Sequence, residues 1–296
     1  MKLSTRLLRW YDKEGRDLPW RKTRDPYRIL VSEMMLQQTQ VDRVKIFYRA
    51  WLKRFPTWKS LARGSNAQVI RAWAGLGYNR RALALRDIAR EVVHLGVPKT
   101  EEEWRKLKGI GAYTAAAVSI FAQNKKTLPV DTNVRRVLGR LLLDKPYPQS
   151  SVYLPLRAKG SILLGETNRH ADLVQALFDL ASSHCTKIPD CAACPLRSVC
   201  PAGAKFLAGR VKTPRRMMPK PRERIRQGKK YPDRIYRGRI LRLVRETSRG
   251  VRLEGLGKRV DPAFEAERDT QWLLDMIYRL ERDELVIMKH HKLYLS

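Results

Sequence analysis

The sequence predicts an all-α domain over about the first 200 residues and a small α+β module at the C-terminus. Apolar residues recur at helical spacing; Val44, Tyr48, Trp51 and Phe55, for example, fall on one stripe. No alternating apolar and polar run typical of a strand interrupts this region. Near the C-terminus, by contrast, the short apolar runs 285–288 and 293–295 are predicted to pair as strands.

Three segments follow from this pattern. Residues 1–204 form the predicted helical domain, and residues 233–296 form a predicted winged-helix-like module made of two helices and a terminal hairpin. The segment between them, 205–232, is rich in Lys and Arg, contains several prolines, and has Glu223 as its only acid. Like charges at this density favour an extended linker, which is either a DNA-binding arm or a solvated tether.

The charge of the chain indicates its class of partner. The sequence has 61 Lys and Arg against 29 Asp and Glu, a net charge of +32. A chain this basic is typical of proteins that bind a polyanion, and we expect nucleic acid. No apolar run is long enough for a membrane span and no signal peptide is evident, so we expect a cytoplasmic, nucleoid-associated protein without a membrane partner. The sequence gives no sign of an obligate oligomer, so we expect a monomer.

All four cysteines lie close together, at Cys185, Cys191, Cys194 and Cys200, in the pattern Cys-x5-Cys-x2-Cys-x5-Cys. Disulfides usually connect distant parts of small secreted chains, and this chain is long. The cluster therefore predicts a metal or iron–sulfur site.

A second motif contains two glycines and an acid. Gly109 and Gly111 flank one apolar residue between two predicted helices, so the backbone N–H groups of the turn and of the next helix can contact a phosphate. Thr100 and the acids that follow it predict the start of the first helix as a capping box. About twenty residues further on, Asp131 precedes the run 132–138, where it is placed to cap another helix.

These motifs, in this order, resemble the helix-hairpin-helix DNA glycosylases, and the resemblance implies that residues 1–204 fold as two helical subdomains. The segments 18–21 (Leu-Pro-Trp-Arg), 31–41 (Val-Ser-Glu-Met-Met-Leu-Gln-Gln-Thr-Gln-Val) and 75–78 (Gly-Leu-Gly-Tyr) narrow the resemblance to the MutY-type adenine glycosylases, over roughly residues 7–200. The resemblance implies a monofunctional base-excision glycosylase. Its substrate would be double-stranded DNA with a mismatched or damaged base, and the expected reaction removes adenine opposite 8-oxoguanine or guanine after base flipping.

The resemblance also implies catalytic roles. Glu33 matches the general acid that protonates N7 of adenine, for which burial should raise its pKa. Asp131 matches the carboxylate that stabilises the cationic sugar in the transition state. Tyr113 stands where the lyase branch of the superfamily has a nucleophilic lysine, so little or no strand cleavage is expected.

Further residues are assigned by the same resemblance. Gln38 would fill the gap that the flipped base leaves, and Tyr78 would wedge beside the opposite base. Arg21 and Gln175 would line the base pocket, while Gly109, Gly111 and Asn133 would contact DNA. The cysteines would bind a [4Fe–4S] cluster, although the first gap is one residue shorter than in the family; a structural zinc site with four cysteine ligands is the alternative.

The C-terminal region departs from the family, because it does not resemble the Nudix-like domain that typically ends MutY proteins. Three hypotheses therefore stay open. The first is adenine excision, the second is excision of thymine or uracil opposite guanine, and the third is a non-catalytic iron–sulfur DNA-binding protein. Glu33 and Asp131 favour catalysis, because a protein that only binds DNA needs neither acid.

Overall fold

The computed structural model describes residues 2–212, 223 and 225–296. Single 3-10 turns occur at Pro19–Arg21 and Ser150–Val152. The helices are α1 (Leu3–Glu14), α2 (Pro26–Leu36), α3 (Val41–Arg54), α4 (Trp58–Ala62), α5 (Asn66–Ala72), α6 (Arg80–Leu95), α7 (Glu101–Lys106), α8 (Ala112–Gln123), α9 (Thr132–Leu142), α10 (Tyr153–Leu164), α11 (His170–Ser183), α12 (Pro201–Leu207), α13 (Asp233–Arg245), α14 (Leu256–Val260) and α15 (Ala266–Arg282). The strands are β1 (Val251–Arg252), β2 (Val286–Lys289) and β3 (Lys292–Leu295).

Contacts divide the chain into two compact units. The first comprises the described parts of Met1–Lys45 and Leu95–Arg215, and the second those of Ile46–His94 and Arg216–Ser296. This division differs from the predicted boundaries, because residues 46–94 group with the C-terminal module. Within the second unit, Asn66 donates to the Ser296 hydroxyl at 2.8 Å, and α5 packs against β3.

The core of the first unit is built around α8. Residues 114–121 of this helix are buried on every side, as expected for a helix without a polar face. It packs against α2, α7 and α11, while α9 packs against α10, α11 and α12. This arrangement places the ends of α2, α8 and α9 around the candidate site.

The turn between α7 and α8 has the predicted conformation. Thr100 caps α7 by accepting a hydrogen bond from the Glu103 N–H at 3.1 Å. The Ile110 N–H donates to the Leu107 carbonyl at 3.1 Å, and Gly109 has a φ of 95°, which an i+2 position of a type II turn requires. The helix, tight turn and helix predicted from the glycines are therefore confirmed.

The C-terminal module contains the predicted helices and hairpin. Its sheet is antiparallel with the order β1-β3-β2, and β2 and β3 join through His290 and His291. Helices α13 and α15 pack against each other and against these strands. The order helix, strand, helix, helix, strand, strand fits the predicted winged-helix-like architecture, to which the structure adds β1 and α14.

The basic segment 205–232 is only partly described. Residues 213–222 and 224 lie outside the described residues, and α12 extends past the predicted start of the segment. Near its end, the Lys229 side chain is fully buried and forms ion pairs of 2.8 Å with Asp261 and 2.7 Å with Asp269. The last residues of the segment therefore belong to the packed second unit, which the charge pattern did not predict.

Within the described ranges, no helix combines the length and the apolar character needed to cross a lipid bilayer.

Candidate active site

Glu33 lies on α2, in an apolar interior. Asp25 begins this helix by accepting a hydrogen bond from the Tyr27 N–H at 2.9 Å, and Pro26 occupies the first helical position. Eight consecutive or nearly consecutive residues of α2 are buried, so the helix is enclosed on all sides. Glu33 is itself only 6% exposed, and its carboxyl is hydrogen-bonded to the Tyr113 hydroxyl.

The burial of Glu33 changes its acidity. Loss of hydration raises its pKa from 4.5 to about 7. The hydrogen bond from Tyr113 opposes this shift, and the negative charge of Asp131 adds to it. The direction agrees with the one predicted from the sequence. At neutral pH a large fraction of Glu33 therefore carries a proton that it can donate.

Asp131 caps α9 and is half-buried. One of its oxygens accepts hydrogen bonds from the backbone N–H groups of Asn133, at 2.8 Å, and Val134, at 2.7 Å. The other accepts from the Asn133 side-chain amide at 2.8 Å. The two predicted acids thus occupy contrasting surroundings, because Glu33 is enclosed by apolar groups whereas Asp131 accepts three hydrogen bonds at a helix N-terminus.

Tyr113 and Asp131 line the same open cleft of about 430 Å³, a volume within the range of small-molecule sites. Glu33 does not line this cleft but connects with it through the Tyr113 hydroxyl. Burial, together with the negative charges of Glu33 and Asp131, raises the pKa of Tyr113 well above 10, so Tyr113 is a neutral hydrogen-bond donor. The cleft residues are Tyr113, Val130, Asp131, Thr132, Arg135, Ser150 and Tyr153.

Gly109 and Gly111 are both exposed at the predicted phosphate-binding turn. Gly111 begins α8 without a side-chain cap, and a Cβ at this position would meet nothing within 4 Å. The first-turn N–H groups of α8 thus stay accessible. Gln38, predicted to fill the vacated helix position, is exposed just beyond α2 and has a φ of 56°. A left-handed conformation at a residue other than glycine costs energy and often marks a functional position.

Tyr78, in the second unit, is 66% exposed, so core packing does not explain it. Its φ is 48° and it follows Gly77, which also has a positive φ. The loop is held by Arg81, whose guanidinium donates to the Gly77 carbonyl at 3.1 Å and lies 5.5 Å from the Tyr78 ring centroid. The Trp73 indole N–H donates to the same carbonyl at 3.1 Å.

Arg21 and Gln175 are brought together by an internal network. The Arg21 guanidinium donates to the Gln175 amide oxygen at 2.8 Å and forms two bonds of 2.7 Å with the buried carboxylate of Asp179. Arg16 binds the same carboxylate at 2.7 Å. Burial would raise the pKa of Asp179, but the hydrogen bonds and charge of Arg21 bring it below its ordinary value.

The four cysteines are free thiols that line one cavity between α9, the end of α11 and the start of α12. Burial and the proximity of the other sulfurs raise the pKa of Cys191, Cys194 and Cys200, to about 11 for Cys194. Gly203 leaves room beside them, since a Cβ there would lie 3.4 Å from the Cys200 sulfur and 3.9 Å from the Cys191 sulfur. The cavity therefore has four sulfur donors, the ligand type that an iron–sulfur cluster uses.

The described residues contain no group of three or more His, Cys, Asp or Glu side chains spaced to bind a single metal ion. The loop itself is held by α9. Arg140, buried on this helix, donates to the carbonyls of Thr186 at 2.6 Å and Lys187 at 3.0 Å, and to the Cys185 sulfur at 3.4 Å. One turn earlier, Arg136 donates to the Cys185 carbonyl at 2.6 Å. The helix that Asp131 begins therefore also holds the cysteine loop.

Comparison with known proteins decides the family. Residues 31–153 match the model of the HhH-GPD superfamily of base excision DNA repair proteins. An adenine DNA glycosylase of Mycolicibacterium smegmatis is 37% identical over 282 residues, which cover 92% of this chain and 86% of that protein. The chain belongs to the adenine DNA glycosylase family. The resemblance and the helix-hairpin-helix fold predicted from the motifs are thereby confirmed.

Three further proteins are similar to this glycosylase. The human adenine DNA glycosylase is 40% identical over 209 residues, which cover 66% of this chain but 38% of the human protein. Among solved structures, a thermostable thymine-DNA glycosylase is similar with a TM-score of 0.63 and 28% identity, over 68% of this chain and 95% of that one. An endonuclease III–DNA covalent intermediate shares the fold at a TM-score of 0.55 and 19% identity.

Several residues of this glycosylase were not found from the sequence. Arg135, Ser150 and Tyr153 line the cleft, but only Arg135 lies within a recognised motif. Asp179 and Arg140 hold the Arg21 network and the cysteine loop. The available signal for Asp179 was a charged residue within the apolar run 176–181, where Leu177 and Leu180 beside it are buried.

Proposed function

We propose that the protein is a monofunctional glycosylase that hydrolyses the N-glycosidic bond of a mispaired adenine in duplex DNA, with guanine or 8-oxoguanine as the opposite base. The observation that supports this most is the pairing of a buried acid, Glu33, whose pKa is about 7, with Asp131 at the adjacent cleft. The likeness to adenine DNA glycosylases over most of the chain supports the choice of base.

In the proposed reaction, Glu33 is the acid that supplies the proton for N7 of the flipped adenine, and the Tyr113 hydroxyl relays it by giving its own proton to N7 while it takes one from Glu33. Protonation makes adenine a better leaving group, because the glycosidic electrons then move into a ring that already carries a positive charge. A pKa near neutrality suits this step, since the acid is both protonated and able to release its proton at physiological pH. The hydrogen bond between Glu33 and Tyr113 supports Tyr113 as the link between the buried acid and the cleft.

Asp131 stabilises the sugar in this proposal. Departure of the base leaves positive charge on the sugar ring, and the Asp131 carboxylate offers a negative charge at the cleft wall. Its three hydrogen bonds fix the orientation of the carboxylate, which supports a role that depends on position. Asn133 acts here through Asp131, to which its amide donates, as well as being a candidate DNA contact.

Strand cleavage is not expected. A lyase of this superfamily forms a Schiff base through a lysine amine, and a phenol cannot form one. Tyr113 occupies this position, and its hydroxyl stays protonated, because its pKa is well above 10. We infer that the reaction ends with base release and an intact abasic strand.

The base reaches the cleft by flipping out of the helix. Gln38 and Tyr78 are proposed to occupy the space it vacates and to wedge beside the opposite base; exposure and left-handed backbone conformation at both residues support this. Gly109 and Gly111 are proposed to bind a phosphate. Arg21 and Gln175 are proposed to shape the base pocket, supported by the hydrogen bond that holds them together.

Cys185, Cys191, Cys194 and Cys200 are proposed to hold a [4Fe–4S] cluster. The four sulfurs around one cavity and the family resemblance support this assignment. Such a cluster would supply structural order to the loop without taking part in catalysis. Visible absorbance and four iron atoms per chain in the purified protein would support it, whereas one zinc atom per chain would favour the alternative.

Thymine or uracil opposite guanine is the second candidate substrate, which the likeness to a thymine-DNA glycosylase favours. The adenine and pyrimidine hypotheses are distinguished by incubating the purified protein with duplexes that bear A, T, U or hypoxanthine opposite G or 8-oxoguanine. Alkali is then added to cleave the strand wherever a base has been removed. We expect cleavage only at adenine, and none before alkali is added. Cleavage at pyrimidines would favour the second candidate, and no cleavage at all would leave a DNA-binding protein.

A further inference from the structure

A row of three cations crosses the small C-terminal sheet. Arg252 of β1 lies directly opposite Lys292 of β3, which lies directly opposite Lys289 of β2. Residues paired in register point to the same face of a sheet. Since neighbouring strands are about 4.8 Å apart, the three side chains start within about 10 Å of one another.

This row is unfavourable for the isolated module. Like charges placed directly opposite each other destabilise a sheet. Arg252 and Lys289 are exposed and Lys292 is half-buried, and within the part of the chain that the structure describes none of them forms an ion pair with a carboxylate. Residues 233–296 carry 14 Lys and Arg against 11 Asp and Glu, so the row is not simply part of a generally basic surface.

The turn beside the row carries a second cost. His290 and His291 connect β2 to β3, and both have positive φ, 45° and 58°. A two-residue turn of this type strongly prefers Asn-Gly, because side chains are strained there. Both histidines are exposed, so packing does not explain their presence. Strain and repulsion at the same hairpin tip indicate a ligand that offsets them.

We propose that Arg252, Lys289 and Lys292, together with the His290–His291 turn, bind backbone phosphates of duplex DNA. The proposal rests on DNA being the substrate of the proposed function. Each strand of a duplex presents one negative charge for about every 3.4 Å of axis, a density that matches three cations within about 10 Å. Contacts to phosphates carry no sequence information, so this site holds the enzyme on any duplex.

The test measures duplex binding against salt. The full chain and the variant R252A/K289A/K292A are compared by fluorescence anisotropy on a duplex of about 25 base pairs without a mismatch, over a range of NaCl at about pH 8. Each phosphate contact contributes about 0.9 to the slope of log K against log salt. We expect the slope of the variant to be shallower by about 2 to 3. An unchanged slope would overturn the proposal.

A matched control removes the same number of charges elsewhere in the module. The variant K258A/R259A/R282A changes three exposed residues of α14 and α15, and it should keep the wild-type slope. An equal change in both variants would mean that only the overall charge matters, and would also overturn the proposal. The variant R252K/K289R/K292R retains all three charges and should keep the slope.

The turn is tested separately with H290N/H291G. This variant keeps Arg252, Lys289 and Lys292, so it retains the three charges that set the salt dependence. We expect this variant to bind a few-fold more weakly at every salt concentration with an unchanged slope, and to unfold at a higher temperature. Unchanged affinity would show that the turn is not part of the binding site. A shallower slope of log K against log salt would show that the salt dependence depends on the conformation of the hairpin and not on the three cations, and would overturn the proposal.

These results are independent of catalysis. Because the row variant retains Glu33 and Asp131, its single-turnover rate at saturating enzyme should equal that of the wild type. If the wild type excised no base, the proposed function would fail while the salt slopes would still decide whether the row binds DNA. Binding to polyglutamate with the same dependence on the row would instead assign it to an acidic protein partner and overturn the proposal.

Discussion

Glu33 in the first unit and Asp269 in the second are both buried carboxyls, with 6% and 1% of their surfaces exposed, yet their acidities move in opposite directions. Hydrogen bonds from Arg268, and further ones from Lys229 and a backbone N–H, outweigh burial and bring the pKa of Asp269 far below its ordinary value. Glu33 forms no ion pair with a cation in the described ranges, and burial raises its pKa to about 7.

This difference in pKa distinguishes a buried acid with a structural role from one that can act as an acid in catalysis. A buried acid that is paired with cations stabilises the fold and stays ionised, whereas a buried acid without a cation retains a proton that can be transferred. In the second unit the Lys229 ammonium binds both Asp261 and Asp269 and lies 4.1 Å from the Trp272 ring centroid. Because every charge in this cluster is paired, the cluster is suited to holding the segment around Lys229 against the rest of the second unit. The pocket of Glu33, which has no paired cation within the described part of the chain, is suited to acid catalysis.

The largest expected effect is the loss of activity in E33Q. Glutamine has nearly the same shape as glutamate but has no proton to donate. General acid catalysis is ordinarily worth about 10²- to 10⁴-fold, so we expect the single-turnover rate of adenine excision to fall by at least about 10²-fold. Binding to the mismatched duplex should be retained. An E33Q variant that excises adenine at the wild-type rate would remove Glu33 from the mechanism.

Asp131 gives an intermediate case, because it both caps a helix and faces the cleft. Asparagine caps helices about as well as aspartate, so D131N should change the free energy of unfolding by less than about 1 kcal/mol. It removes the charge, however, and we expect excision to slow by about 10²-fold. If D131N retained activity and D131A lost both stability and activity, capping would be the only role of this residue.

Replacement of Lys229, which pairs with two buried carboxylates, should lower stability and leave the excision rate unchanged. K229M leaves two buried carboxylates without their shared partner, which is expected to cost about 3 kcal/mol of the free energy of unfolding of the second unit. The excision rate per folded molecule should stay at the wild-type value under strongly folding conditions. Chemical denaturation checks the first statement and active-site titration the second. A stable K229M protein would contradict the anchoring role.

The raised pKa of Glu33 predicts a smaller effect, a decrease in the free energy of unfolding as the pH rises. The pKa of Glu33 is higher in the folded protein, at about 7, than its ordinary value of 4.5, so the folded state binds this proton more tightly. Glu33 therefore favours folding below pH 4.5, and this contribution disappears as the pH rises to about 7. Relative to E33Q, the wild type should lose about 2 kcal/mol between about pH 5 and about pH 8. A constant difference between the two proteins would contradict the raised pKa.

The smallest expected effect concerns the Tyr78 loop. R81A removes the guanidinium that binds the Gly77 carbonyl and stacks near the Tyr78 ring. We expect excision at limiting enzyme to fall by about 3- to 10-fold, with the rate at saturation less affected, because the loop would act in base flipping. R81K retains the charge but lacks the planar fork, so it should behave like R81A. If R81A excised adenine like the wild type, the conformation of the Tyr78 loop would be maintained by Trp73 and the glycines without Arg81.

Local patterns made much of this protein predictable. The bounds of α7 and α9 follow from capping residues close in sequence, and the turn at Gly109 follows from its need for a positive φ. The direction of the Glu33 pKa shift was predictable from the acid role that the resemblance implies, and burial of the residues around it on α2 is its physical cause. The roles assigned to the site residues stay predictions until the variants are measured.

Other features were not predictable because they depend on partners distant in sequence. Lys229 belongs to a run of basic residues, and only folding brings it to Asp261 and Asp269. The bonds from Arg21 to Asp179 join residues separated by most of the first unit. β1 has two residues, too few to show an alternating pattern. No local sequence pattern indicates that residues 46–94 form one compact unit with the C-terminal module.

Helix α9 connects the candidate active site with the cysteine loop of the first unit. Asp131 stands at its start, and Arg140, nine positions later and about 14 Å along the axis, grips the cysteine loop. A rigid rod of this kind transmits displacement from one end to the other. A change in the conformation of the cysteine loop would therefore also displace the carboxylate of Asp131, so that the order of this loop and the geometry of the cleft depend on the same helix.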